Sequence, residues 1–281
     1  MKRLWLLLTF SLWSVGGYAQ VVLTHLPVNH FLGQQLTQNT QIDVRYLVPK
    51  RYGINRLTHW FSAKVSEQQA RQWALEADAI LNFASLWPSD PLYPLLRQYN
   101  IRLVAIDSGN PQHPKAATVA LRYGADGQVS PYVWLNLSNL KTMVNNVGRD
   151  LASLYPEQAG QISINQQRLL KAIAKQERLN QDWLFDHEVE EVVVTGDKLS
   201  DFVFGNNLFQ VGHISLPLDQ WQDPQWQQLS NLYQPGMVLL LAKPPTSAAT
   251  ARLASMNVDW LLIDTIEKMG KGVSLQRWSL G

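Results

Sequence analysis

Eight short β-rich runs fall into two sets of four, with a long helical stretch between the sets. The first set covers 21–25, 42–48, 79–83 and 101–107; the second covers 192–195, 209–214, 237–242 and 260–264. Helical patterns such as 66–76, 91–99 and 247–256 separate them. Strands interleaved with helices build βαβ units and parallel sheets. The expected fold is therefore α/β, with two lobes, each a four-stranded mainly parallel sheet flanked by helices. The middle has a different pattern. Leu140, Val144, Val147, Leu151 and Leu154 recur at steps of four and three, which is one face of a helix, and Pro156 follows its end. Ser138 is the expected N-cap. From Ile162 to Leu184 there is neither Gly nor Pro, and Leu169, Leu170, Ile173, Trp183 and Leu184 form a partial apolar stripe. That composition suits a helical strut rather than a flexible linker.

The N-terminus reads as an address. Lys2 and Arg3 precede an apolar run from Leu4 to Trp13, and Gly17-Tyr18-Ala19 offers small residues for cleavage before Gln20. The run is too short for a membrane span, so a secretory signal peptide cut after Ala19 is expected, with the product in the periplasm. The domain plan is then 1–19 signal peptide, 20–160 N-terminal lobe, 161–187 connecting helix and 188–281 C-terminal lobe. Losing Lys2 and Arg3 reduces the 24 basic residues to 22, which matches the 22 acidic ones. A neutral product has no call on nucleic acid. Cys is absent, which excludes disulfides, thiolate metal sites, cysteine nucleophiles and a covalent lipid anchor on cysteine.

Pro131-Tyr132-Val133-Trp134-Leu135-Asn136-Leu137 resembles a Pro-His-Val-Trp-Leu-Asp-Pro segment of the metal-binding receptors of zinc and manganese ABC transporters, the ZnuA/TroA-type family. Val22-Leu23-Thr24-His25-Leu26-Pro27, the run from 42 to 49 followed by a loop that holds His59, Ala77-Asp78-Ala79-Ile80-Leu81 and Ile263-Asp264-Thr265-Ile266-Glu267-Lys268 are similar to further family segments in the same order. The resemblance spans nearly the whole chain after Ala19. It implies two α/β lobes bridged by a long helix and one metal ion held between them by four segments. Carried over, the four ligand positions are His59, Tyr132, Gly196 and Asp264. The family has His at the second and His or Glu at the third, so this chain keeps two of the four.

Gly196 has no side chain, and Asp197 beside it is the candidate replacement, giving His59, Tyr132, Asp197 and Asp264 as the expected metal set. Imidazole and carboxylate suit zinc. A tyrosine must first lose a proton with an ordinary pKa of about 10, and as a hard oxygen donor it favours a harder ion such as ferric iron. The resemblance thus implies one bound transition-metal ion (zinc, manganese or iron) as cargo. The function it implies is a monomeric periplasmic solute-binding protein that captures a metal ion or metal chelate and delivers it to an inner-membrane ABC permease. The alternative is a degenerate, metal-free protein of the same fold, acting as an envelope interaction partner in metal or metallophore uptake.

Other residues carry weaker signals. His25 and His30, flanking the first turn, read as surface or capping groups, and His213 in a strand as structural. His187-Glu188 with Glu190 and Glu191 lacks the HExxH spacing of a zincin helix, so a solvated charge run is expected. Trp60, Trp87, Trp134, Trp221, Trp226 and Trp260 show no stripe and read as core and lobe-interface packing. No GxSxG elbow or GxxxxGK[ST] loop is present, so the chain is not expected to be an enzyme.

Overall fold

The computed structural model describes residues 20–123, 127, 129–269 and 278–280; the expected signal peptide lies outside the described residues. In chain order the first lobe runs β1 (Gln20–Thr24), α1 (Pro27–Leu36), β2 (Ile42–Tyr46), α2 (Leu57–Lys64), α3 (Glu67–Glu76), β3 (Ala79–Asn82), α4 (Leu92–Arg97) and β4 (Val104–Asp107). Two long helices follow, α5 (Leu137–Leu154) and α6 (Ala159–Asp186). The second lobe runs β5 (Glu191–Thr195), α7 (Ser200–Gly205), β6 (Phe209–Ile214), α8 (Asp223–Leu232), β7 (Val238–Leu241), α9 (Ser247–Ser255), β8 (Asp259–Ile263) and β9 (Trp278–Leu280).

The sheet orders are β2-β1-β3-β4 and β6-β5-β7-β8-β9. The first sheet is parallel throughout, and so are the first four strands of the second. To the expected four strands the second lobe adds a fifth, β9, antiparallel on β8. In each lobe the chain builds two strands outward on one side and then crosses to the other. The order therefore reverses between β1 and β3 and again between β5 and β7, and in open α/β sheets such a reversal leaves a crevice at the strands' carboxyl ends.

Central strands covered on both faces read as continuous apolar runs. Val21-Val22-Leu23, Ala79-Ile80-Leu81, Val192-Val193-Val194 and Leu239-Leu240-Leu241 are all buried. One apolar core runs without a break from the first sheet through α5 and α6 to Val192, Val194, Phe202, Leu240 and Leu261 of the second lobe. A smaller core on the far face of the second sheet gathers Val193, Trp221, Trp226, Leu229, Leu239 and Leu253. Trp60, Trp134, Trp221 and Trp226 are buried packing residues, as expected.

The two long helices pack on each other and tie the lobes. Gly148 of α5 lies so close to α6 that an added Cβ would sit 2.8 Å from the Gln166 side chain. Gln166 in turn donates to Asn145 Oδ1 at 2.8 Å. Asn165, fully buried on α6, donates to the carbonyls of Leu36 and Gln38 at 2.8 and 2.7 Å, satisfying the C-terminal end of α1. The N-cap of α5 differs from the sequence expectation. Asn136 holds that place and its Oδ1 accepts from the Ser138 N–H at 2.9 Å, while Ser138 already lies inside the helix. Asn and Ser cap about equally well; Asn136 takes the place because the chain leaves its extended conformation there and is helical from Leu137.

Candidate functional site

A cleft of about 580 Å³ lies between the lobes. From the first lobe it is lined by Asn55 and by the run Val129 to Tyr132. From the second it is lined by Thr195 to Lys198, Ser200, Ser215, Pro217, Gln220, Ala242 and Lys243. The loops after β5 and β7, which flank the strand-order reversal, thus both open into it. The matching crevice of the first lobe is filled instead. His25 follows β1 there, 0% exposed, with Nε2 3.0 Å from Asp90 Oδ1 and its ring against Trp87 and Phe61.

His25 and His30 are accordingly buried, not surface residues as their place beside a turn suggests. Burial lowers the pKa of His30, whose Nδ1 meets the Thr24 hydroxyl at 3.2 Å. Burial would raise the pKa of Asp90, but His25 and the N–H groups of Leu92 and Phe83 outweigh it and hold the carboxyl below its ordinary range.

The four expected metal positions have these surroundings. His59 is in helix α2 rather than in a loop, and it is exposed; Asn55, in the turn before the helix, is the residue that reaches the cleft. Leu57, Trp60 and Phe61, at helical spacing, turn inward and leave His59 on the outer face. Asp264 is exposed and its Oδ1 accepts from the Ile266 N–H at 2.9 Å, an Asp turn at the end of β8. Asp197 is on the cleft wall, its side chain 80% exposed and its Oδ1 3.3 Å from His213 Nε2. Gly196 adopts φ +63°, a left-handed conformation that disfavours any residue bearing a ligand side chain at that position. Among the described residues no group of three His, Cys, Asp or Glu side chains could hold a metal ion.

Tyr132 is buried at 4% exposure, and its hydroxyl donates to Glu267 Oε1 at 2.6 Å. Burial first, and the Glu267 carboxylate second, raise its pKa well above the ordinary tyrosine value, so the phenol keeps its proton. Glu267 Oε2 accepts from Lys198 Nζ at 2.6 Å and lies 3.4 Å from Thr265 Oγ1. The Lys198 ammonium also sits over the Tyr132 ring, 5.6 Å from its centre. Close by, Trp134 Nε1 donates to the Thr265 carbonyl at 3.0 Å. Thus two donors of the first lobe, Tyr132 and Trp134, grip the loop after β8 of the second. Ile266 in that loop has φ +53°, which is strained for a β-branched residue, and it is buried.

Asp201 on α7 is the other unusual group at this interface. It is fully buried and neither carboxylate oxygen makes a well-formed hydrogen bond. Burial pushes its pKa up to about 6, and the nearby Ser130 hydroxyl and Arg122 guanidinium only partly offset this.

Sequence reasoning missed Lys198, Lys243, Glu267 and Asn55. Asn55, Lys198 and Glu267 occur in or beside stretches singled out as ligand-bearing, whereas Lys243 follows a strand that carried no expected ligand. A search for metal donors passes over lysine and amide, and Glu267 stands at no ligand position of the family. Lys243 pairs with Asp219 at 3.0 Å, with about half of each side chain exposed.

No protein-family model matches this sequence, and no curated protein matches it. Solved structures do match. An FpvC mutant from Pseudomonas aeruginosa superposes with TM-score 0.71 at 14% identity, over 89% of this chain and 90% of that one. The zinc-bound ZnuA-like domain of Streptococcus pneumoniae AdcA gives 0.67 at 15%, over 89% of each. A crystal structure of ZnuA gives 0.63 at 17%, over 88% and 92%. The chain therefore has the two-lobed ZnuA-like fold of these structures.

Proposed function

We propose that this chain is an envelope solute-binding protein that captures a transition-metal ion or metal chelate between its lobes and delivers it to an inner-membrane ABC permease. The observation that carries the reading is the cleft itself. It lies at the strand-order reversal of the second sheet, is walled by both lobes, and occurs in a fold whose matched structures include a zinc-bound domain. Binding between lobes at the carboxyl ends of parallel strands is how open α/β sheets hold ligands. A bare-ion site of His59, Tyr132, Asp197 and Asp264 belongs to this proposal only if His59 and Asp264 turn inward and Tyr132 gives up Glu267. The test is elemental analysis of protein purified without chelator, together with calorimetry using zinc, manganese and ferric iron. About one metal per chain supports the reading; no metal and no heat with any of them, free or chelated, rejects it.

One observation favours the metal-free alternative. Protein groups bridge the lobes directly: Tyr132 of the first holds Glu267 of the second, which Lys198 also holds. For an interaction partner of that kind, chelator leaves the melting temperature unchanged, and so do His59→Ala and Asp264→Ala. Bound metal, by contrast, stabilises the native state by mass action.

A further inference from the structure

The charges around the cleft bear on what enters it, given the reading above that the cleft captures a solute. Its described lining carries two ammonium groups, Lys198 after β5 and Lys243 after β7, one on each side of the strand-order reversal. Around them stand the hydroxyls of Ser130, Ser200 and Ser215 and the Asn55 amide. Asp197 is the one carboxylate among these lining residues, and it faces His213. A bare divalent cation would meet two ammonium groups here, each already paired with a carboxylate, and among the described residues no cluster of His, Cys or carboxylate donors. An anion would meet cations and hydrogen-bond donors in a confined space, where such fields are focused.

The structure also shows this grip at work on a carboxylate. Glu267 lies with one oxygen on the Tyr132 hydroxyl of the first lobe and the other on the Lys198 ammonium of the second, each at 2.6 Å. A phenol that keeps its proton and an ammonium are both donors, so they recognise an oxyanion and not a metal ion. Glu267 is the protein's own group, delivered by a loop held in a strained turn at Ile266. Lys243, whose partner Asp219 is half exposed, is free to exchange that weak pair for a ligand.

We propose that the cleft binds a carboxylate-bearing anion, so that any metal arrives inside an acidic chelate, and that Glu267 is a tethered carboxylate competing with it for Lys198 and Tyr132. The solute is held by Lys198 and Lys243 with the serine hydroxyls, and its arrival displaces Glu267.

The experiment titrates the full chain with three probes (ferric citrate, citrate alone and zinc chloride alone) by calorimetry, for the parent, Glu267→Gln, Lys198→Met and Lys243→Met. Glu267→Gln keeps the shape and removes the competing charge, so anion affinity rises about tenfold; each lysine change lowers it by about tenfold or more. Lys243 is half exposed, so its variant separates lost binding from lost folding, with circular dichroism as the check. Binding of ferric citrate with this pattern upholds both the anionic ligand and the metal reading. Equal binding of citrate alone upholds the anionic ligand and removes the metal from it. Saturation by zinc at one per chain, indifferent to both lysines, overturns the inference and leaves the receptor reading standing. Absence of binding by all three overturns the inference and counts against the receptor reading as well.

Discussion

Tyr132 and Asp201 show how far single positions depend on partners remote in sequence. The motif around Tyr132 placed it at the lobe boundary, but its partner Glu267 is 135 residues away, and local patterning carries no trace of such a pairing. Replacing Tyr132 with Phe removes a hydrogen bond to a charged acceptor, and a loss of about 1.5–3 kcal/mol is expected in urea denaturation. A loss below about 0.5 kcal/mol would mean the bond adds nothing to stability. Asp201 works in the opposite direction. Its pKa, about 6 in the folded protein, exceeds the unfolded value of about 3.9, so folding favours the protonated form. The penalty is absent below about pH 4, grows as pH rises from there to 6, and is complete above it, at a size on the order of 3 kcal/mol. Asp201→Asn is therefore expected to raise the melting temperature at pH 7.5 and to leave it nearly unchanged at pH 4. An equal gain at both pH values would remove titration as the cause. The buried pair of His25 and Asp90 was illegible for the same reason as Glu267. Trp87, Phe61 and Asp90 close over His25 from separate segments, and a turn histidine looks the same whether or not they do.

Among elements, the long and strongly periodic ones were legible and the short ones less so. Each expected strand lies within three residues of an observed one at either end. The central strands β1, β3, β5 and β7 are buried apolar runs, and the half-exposed edge strands β2 and β6 are marked instead by their β-branched and aromatic residues. β9 escaped notice because three residues, Trp278–Leu280, are too few to display a period. The placement of His59 in a loop went wrong although Leu57, Trp60 and Phe61 carried the i, i+3, i+4 signal for α2. The most exacting element contact is where α7 meets the start of α5. A Cβ added at Gly205 would lie 2.8 Å from Asn136 Cα, a backbone atom that cannot swing aside. Gly205→Ala is expected to cost about 1–3 kcal/mol by forcing the two apart, and Asn136→Ala about 1 kcal/mol through the lost cap. Because these sites touch, the double variant should depart from the sum of the singles. Strict additivity in chemical denaturation would argue that the helices do not meet as described. Ser138→Ala should cost far less than Asn136→Ala, which tests the cap directly.

At the scale of the molecule, the division into two lobes could be read from the strand pattern, but the unity of the core could not. Apolar residues mark which segments are buried and not which lobe buries them. Since the main core runs unbroken from the first sheet to Phe202, Leu240 and Leu261, the lobes are expected to unfold together. Tryptophan fluorescence and far-UV circular dichroism should give one coincident urea transition; two separated transitions would show independent lobes. The shared core also sets a condition on traffic through the cleft. If the lobes must part for a solute to enter or leave, Trp134, Phe202 and their neighbours meet water each time, and exposing apolar surface carries a large positive heat capacity. Exchange would then have the thermal character of a small unfolding event, with an activation enthalpy that grows on warming, so that its rate climbs more steeply the higher the temperature.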